Sequence, residues 1–317
     1  MSEKPVFSIV VPMYNESGSI LELYRRVAAV MNGLGDPWEF LMVDDGSKDD
    51  TGAAILDLAV KDKHVRPVIF SRNFGQQSAV AAGLAYSRGD AVVVIDADLQ
   101  DPPEVIPELI EKWRQGYEVV YAKRQERQGE TFMKKFTARM FYRLINKITD
   151  IDIPLDTGFF RLIDRRVVDV INKMGEHHRF FRAMSIWVGF KQIGVEFLRD
   201  PRYAGKTSYS YKKMFKLAAT AITGFSFWPL QVSMYLGFIS AGFSVVAIPF
   251  VIFARLNGNA AFAGQATTLI AVLFFGGIQL ISLGVLGEYI GRMYDDIRNR
   301  PLYIVRHGPD DEFKEKN

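Results

Sequence analysis

The chain has no cysteine, which excludes disulfides, thiolate metal ligation and thiol nucleophiles. A glycine fingerprint is missing after the first apolar run, where Val10-Val11-Pro12-Met13-Tyr14-Asn15-Glu16 stands, and no G-x-x-x-x-G-K-S/T loop occurs. Dinucleotide-binding and phosphate-loop readings therefore lose their motifs. The N-terminal region shows no basic-then-apolar leader, because the run at residues 6–11 is short and meets Pro12. There is no internal repeat and no low-complexity tract. The net charge of +3 is too small to argue for nucleic acid as a partner. His177-His178 has no second ligand pair at metal spacing, so zinc is discounted.

Charge is also missing from two long stretches, residues 230–254 and 256–287. Each exceeds the ~20 apolar residues that cross ~30 Å of hydrocarbon as a helix. The alternative, two long buried helices, is disfavoured because globular helices seldom run so far without polar relief. Lys206, Lys212, Lys213 and Lys216 precede the first stretch; Arg292, Arg298, Arg300 and Arg306 follow the second. The linker at residues 255–265 carries one positive charge. The positive-inside rule then places both flanks and both termini in the cytoplasm, with the linker outside. Residues 209–225 read as an amphipathic helix on the bilayer surface, with Trp228 as an interfacial aromatic. The expected division is a catalytic domain at 1–208, an interfacial helix at 209–227, a transmembrane hairpin at 228–290 and a cytoplasmic tail at 291–317. Glu288 and Arg292, one turn apart, are expected to pair.

The first two hundred residues alternate short apolar runs with amphipathic segments. Strands are expected at 6–11, 40–43, 65–70, 91–95 and 118–122, and helices at 19–34, 51–60, 76–87 and 104–113. Near-continuous runs such as Ala91-Val92-Val93-Val94-Ile95 suit a parallel sheet covered on both faces. The expected class is α/β, an open and mostly parallel sheet with flanking helices, binding ligands at the carboxyl ends of its strands.

Acids cluster at those ends. The second strand runs into Val43-Asp44-Asp45-Gly46-Ser47, and the fourth into Ile95-Asp96-Ala97-Asp98-Leu99-Gln100-Asp101-Pro102-Pro103. Asp96 and Asp98, two residues apart at a strand end, can turn toward one ion, and oxygen-only ligation suits Mg²⁺ or Mn²⁺ shared with substrate phosphates. A lone D-x-D is usually a solvated turn; the apolar strand before it and the proline-led helix start after it count against that reading.

These motifs, in this order, resemble glycosyltransferase family 2 with its GT-A fold. The resemblance is closest to the polyprenyl-phosphate branch, the dolichol-phosphate mannose synthases and bactoprenol glucosyltransferases, and includes the two C-terminal stretches. It implies that Pro12, Tyr14 and Glu16, with Asp44 or Asp45, line the pocket for the base and ribose. It implies that Asp96 and Asp98 hold the metal against the diphosphate with Gln100 nearby, and that Arg72 in Ser71-Arg72-Asn73-Phe74-Gly75 completes the nucleotide pocket. Asp156, in Asp156-Thr157-Gly158-Phe159-Phe160-Arg161, sits where family members keep an acid near the acceptor. A phosphate monoester, with a second pKa near ~6, is already largely ionised at neutral pH, so Asp156 orients more than it deprotonates.

The acceptor phosphate calls for cations. Arg124, Arg127, Lys135, Arg139, Arg202 and Lys206 are the candidates, with Lys134 read as ordinary basic surface. The implied reaction is inverting transfer of a sugar, glucose from UDP-glucose by the closer branch, to undecaprenyl phosphate. The partners are then a nucleotide-sugar, a polyprenyl phosphate and the bilayer. A processive polysaccharide synthase would show Q-x-x-R-W and more apolar spans; a non-catalytic membrane scaffold would not require the acids together. Leu302-Tyr303-Ile304-Val305 is strand-like and is read as packing on a neighbouring subunit in a homo-oligomer.

Overall fold

The computed structural model describes residues 4–125, 157–199, 223–224, 226–257 and 265–311. The amphipathic stretch at 209–225 falls almost wholly outside them. Strands β1 (Phe7–Met13), β2 (Trp38–Asp44), β3 (Val65–Phe70) and β4 (Ala91–Val94) alternate with helices α1 (Ile20–Leu34), α2 (Thr51–Lys61) and α3 (Gln76–Tyr86). Then come α4 (Ile106–Arg114), β5 (Val119–Arg124), β6 (Thr157–Asp164), α5 (Arg165–Lys173), α6 (Phe181–Trp187) and β7 (Gln192–Phe197). Helices α7 (Trp228–Leu256) and α8 (Gln265–Arg298) precede a short β8 (Val305–His307).

The eight strands form one sheet in the order β7-β5-β6-β4-β1-β2-β3-β8. Pairings β1–β2, β1–β4, β2–β3 and β5–β7 are parallel; β4–β6, β5–β6 and β3–β8 are antiparallel. The expected mostly parallel class holds, and the GT-A sheet gains one antiparallel strand, β6, inside it. Every residue of β1 to β4 is buried, because helices cover both faces. Ile20, Leu23, Val27, Ile55, Ile106 and Leu109 pack one face. Ala79, Val80, Val167, Ile171 and Met184 pack the other. Each large apolar side chain among them contributes roughly 1.5–3 kcal/mol relative to exposure. The chain leaves β1 toward β2 and β3 on one side and reaches β4 on the other. The loops after β1 and β4 therefore diverge at a topological switch point, where open sheets hold ligands.

Helices α7 and α8 contain segments long and apolar enough to cross a membrane, Trp228–Phe253 and Ala271–Arg298, with mean hydropathies of 2.3 and 1.7 and no part buried. Arg292 donates to Glu288 at 3.0 and 3.1 Å, the pairing expected from spacing. The C-terminal end of α8 touches the α5–α6 loop: the His177 N–H donates to Asp296 at 2.9 Å, and His178 lies 3.1 Å from Asp295. The adjacent histidines serve this contact.

Residues 302–305, expected to pack on a neighbouring subunit, pack on their own chain. Ser71 donates to the Ile304 carbonyl at 2.9 Å, Tyr303 stacks on Phe70 at 5.0 Å, and β8 pairs with β3. The strand begins at Val305, later than expected. The reason is that β3 would otherwise present an open row of N–H and C=O groups. Asp310 extends the attachment by accepting from Arg66 at 3.0 Å and Arg88 at 2.6 Å.

Candidate active site

The loops after β1, β2 and β3 are tied into one surface. Asp45 N donates to Met13 O at 2.9 Å, Asn15 N to Ser47 Oγ at 2.9 Å, and Lys48 N to Asn15 Oδ1 at 2.9 Å. Asn15 takes a φ of 55°, a conformation its short polar side chain tolerates. Pro12 is buried at the strand end, and Tyr14 stands 41% exposed above it, an accessible aromatic face for a base. Glu16 receives Ser19 Oγ at 3.0 Å, and its own N–H reaches Thr51 Oγ1 at 2.9 Å.

The paired acids after β2 have separate partners. Asp45 accepts from Asn73 Nδ2 at 2.9 Å, Phe74 N at 2.7 Å and Gly75 N at 2.9 Å, so both its oxygens hold the β3–α3 loop. Asp44 accepts from Ser47 N through Oδ1 and faces Gly52 in the first turn of α2. Burial, the largest influence on each, pushes both carboxyls above their ordinary value despite these hydrogen bonds. Gly46 is obligatory: at φ +64°, a Cβ would lie 2.3 Å from the backbone carbon of Arg72. That contact brings the second-strand motif and the Arg72 loop together. The Arg72 guanidinium sits over Phe74 at 4.2 Å and stays exposed.

The Asp96–Asp98 turn lies across the switch point. Gln76 Nε2 donates to Asp96 Oδ1 at 2.9 Å, and Gln100 N to Asp98 Oδ1 at 3.1 Å. Leu99, buried between them, takes a φ of 57°, which a leucine adopts only when its surroundings enforce it. Asp96 keeps some solvent contact, yet protein crowds it closely. Burial first, then the charges of Asp101 and Asp98, push its carboxyl up to about 7. Crowded carboxylates of this kind fit a hard divalent cation, which would relieve their repulsion. Among the described residues no set of three or more acids or imidazoles forms a complete metal cage. The pair therefore suits an ion whose remaining positions go to phosphate and water.

Beyond Asp98 the fold gathers a charge cluster from separate segments. Asp101 is fully buried, and its carboxylate sits 3.6 Å from Arg124 Nη2 and 3.7 Å from Arg199 Nε. Gly158 makes room for this, since a Cβ there would come within 2.8 Å of Arg124 Nη2. Arg182 joins the same edge: it donates to Thr157 O at 2.8 Å, lies over the rings of Phe159 and Phe180, and its charge acts on Asp96. Arg161 is buried beneath it, bonded to Ser185 and Gly158 O, and burial lowers its guanidinium to about 9. Arg124 is a candidate from the resemblance, and Asp101 lies inside the Leu99-Gln100-Asp101-Pro102-Pro103 run; Arg182 and Arg199 have no sequence signal. Asp156, Arg127, Lys135, Arg139, Arg202 and Lys206 lie outside the described residues, as does Lys134.

Residues 8–171 match the Glycosyl transferase family 2. An uncharacterised glycosyltransferase of Bacillus subtilis is 50% identical over 306 residues, covering 96% of this chain and 95% of that one. A prophage bactoprenol glucosyl transferase homologue of Escherichia coli is 42% identical, covering 94% and 98%. The bactoprenol glucosyl transferase of Shigella phage SfII is also 42% identical, over 94% and 97%. The sheet, the acids at its switch point and these matches agree: the chain is a glycosyltransferase and belongs to glycosyl transferase family 2.

Proposed function

We propose that this chain transfers a glucosyl group from UDP-glucose to undecaprenyl phosphate at the cytoplasmic face of the cell membrane, with inversion at the anomeric carbon. The observation that carries the reading is 42% identity along almost the whole chain, apolar helices included, to proteins named bactoprenol glucosyl transferase. The charge distribution around α7 and α8 supports the orientation, with lysines and arginines on the cytoplasmic flanks.

In this reading Tyr14 offers its exposed ring to the base, and Pro12 and Glu16 shape the floor and the ribose side. Asp44 is the acid left to accept from the base, because both oxygens of Asp45 are taken by the Asn73 side chain and the Phe74 and Gly75 N–H groups. Arg72 stands at the nucleotide side, and Gln100 fixes the turn that aims Asp98. Asp96 and Asp98 would hold Mg²⁺ or Mn²⁺, which supplies charge neutralisation to the departing nucleoside diphosphate. An oxygen of the acceptor phosphate attacks the anomeric carbon as the bond to UDP breaks. No base is needed to strip a proton from a monoester whose second pKa is near ~6. Asp156 is assigned to orienting the acceptor. Arg124, with Arg127, Lys135, Arg139, Arg202 and Lys206, is assigned to its phosphate, arginine by paired donors and lysine as a point charge.

The test is transfer by purified protein with undecaprenyl phosphate and Mg²⁺ or Mn²⁺ across a panel of UDP- and GDP-sugars. Label from UDP-glucose entering an organic-extractable, mild-acid-labile lipid is expected. Preference for another donor would reassign the sugar, and no transfer from any donor would refute the reaction.

A further inference from the structure

The Asp101 carboxylate has no direct hydrogen bond among the described residues and is held between two arginines from different segments. Arg124 ends β5 and Arg199 follows β7, so neither position is fixed by local sequence. Both Asp101 oxygens and the Nε atoms of Arg124 and Arg199 are buried, again with no hydrogen-bond partner among the described residues. The ion pairs are loose, at 3.6 and 3.7 Å. A fully buried carboxylate is costly unless compensated by cations, and two guanidinium groups brought together repel unless an anion lies between or before them. Burial raises the Asp101 carboxyl while Arg124 and then Arg199 draw it back down; the Arg199 charge is disfavoured by burial and by Arg124. Each arginine side chain retains 28% exposure, so the pair is anchored by a fully buried Asp101 while both guanidinium-bearing side chains still reach solvent. The cluster lies beside Asp96 and Asp98, whose carboxylates also act on Arg199.

Accepting the polyprenyl-phosphate reading above, we propose that Asp101 is a positioning residue that holds Arg124 and Arg199 as a paired-guanidinium clamp for a phosphate group. Arg199 thereby becomes a phosphate ligand beside Arg124, and Gly158 is the residue that leaves space for the clamp. The phosphate is that of the lipid acceptor or that of the donor diphosphate; the chemistry of recognition is the same. Two guanidinium groups set side by side present paired donors that match phosphate oxygens. Replacing one by lysine keeps the charge and loses that geometry.

The experiment measures binding of farnesyl phosphate and of farnesol to the full chain in detergent, and separately of UDP with Mn²⁺. Wild type is expected to prefer farnesyl phosphate over farnesol by tenfold or more. In Asp101→Asn, Arg199→Gln and Arg199→Lys that preference falls at least fivefold while UDP affinity stays within twofold. If UDP affinity falls fivefold and the farnesyl phosphate preference is intact, the clamp holds the donor phosphate. If neither changes in protein whose melting temperature matches wild type, the clamp is refuted. Arg199→Gln keeps the test decisive should Asp101→Asn fold poorly, since Arg199 is partly exposed. Because binding is read without turnover, loss of the clamp is distinguished from failure of the transfer reaction, which the wild-type assay alone decides.

Discussion

The two halves of the catalytic edge are built differently. On the side of β1, β2 and β3, each acid finds its partners in an adjacent loop, and Gly46 locks two of those loops against each other. On the side of β5, β6 and β7, the charged groups Arg124 and Arg199 come from segments 23 and 98 residues beyond Asp101 and meet around that one buried carboxylate. The first half fixes its shape through short backbone hydrogen bonds; the second holds its shape through loose charge pairs that a ligand can tighten. Under the proposed function, the first half is a rigid pocket for the nucleotide and the second a charge-defined seat for a phosphate.

Replacing Asp96 or Asp98 by Ala tests the boundary between the halves and carries the largest effect. Loss of several kcal/mol of transition-state stabilisation predicts a fall of about 10³-fold or more in kcat/KM with the fold intact. Transfer assays with melting curves check it, and near-normal transfer would favour a scaffold role instead.

Two glycines separate the halves. Gly46→Ala drives a Cβ to 2.3 Å from the backbone of Arg72, so a loss of about 2 kcal/mol or more is expected. Gly158→Ala meets only the movable end of Arg124, at 2.8 Å. Its stability cost is expected to stay below about 1 kcal/mol, while KM for the lipid acceptor rises several-fold. Thermal melting and acceptor titrations distinguish them; equal stability losses would erase the proposed contrast.

Asp45→Asn weakens hydrogen bonds to two backbone N–H groups and Asn73, each worth about 1.5–3 kcal/mol when the acceptor is charged. Lower stability and a raised KM for the nucleotide-sugar are expected together, with the acceptor KM unchanged.

The smallest effect concerns pH. The Asp44 carboxyl is raised by burial, so the folded state holds its proton more tightly than the unfolded chain. Stability contributed by this group therefore grows as pH falls through its folded pKa and is lost as pH rises. Relative to Asp44→Asn, wild type should gain melting temperature on acidification from pH 7 to below the ordinary aspartate value of ~3.9. A difference between the two proteins that stays constant across that range would contradict a raised Asp44.

The β1–β3 side of the edge is legible because its chemistry is contiguous. Val43-Asp44-Asp45-Gly46-Ser47 and Asp96-Ala97-Asp98 mark strand ends by pattern alone, and β3 occupies its expected span of 65–70. What stays hidden depends on pairings across long separations. Strand β6 is absent from the expected strands, although the residues from Thr157 onward pair antiparallel between β4 and β5. Arg199 and Arg182 look like ordinary surface cations until the sheet brings them to Asp101 and Asp96. The division of labour between Asp44 and Asp45 depends on the close approach of the Asn73 loop, which adjacent letters do not record. The tail reads as an intermolecular strand because its pattern shows a need for pairing but not the identity of the partner.

The most direct test of the account follows UDP release and lipid labelling together, with purified chain, UDP-glucose, Mn²⁺ and either undecaprenyl phosphate or undecaprenol. The account predicts one glucose in the lipid for each UDP released, only when the phosphate is present. UDP released without lipid labelling, or equal labelling of the alcohol, would contradict it.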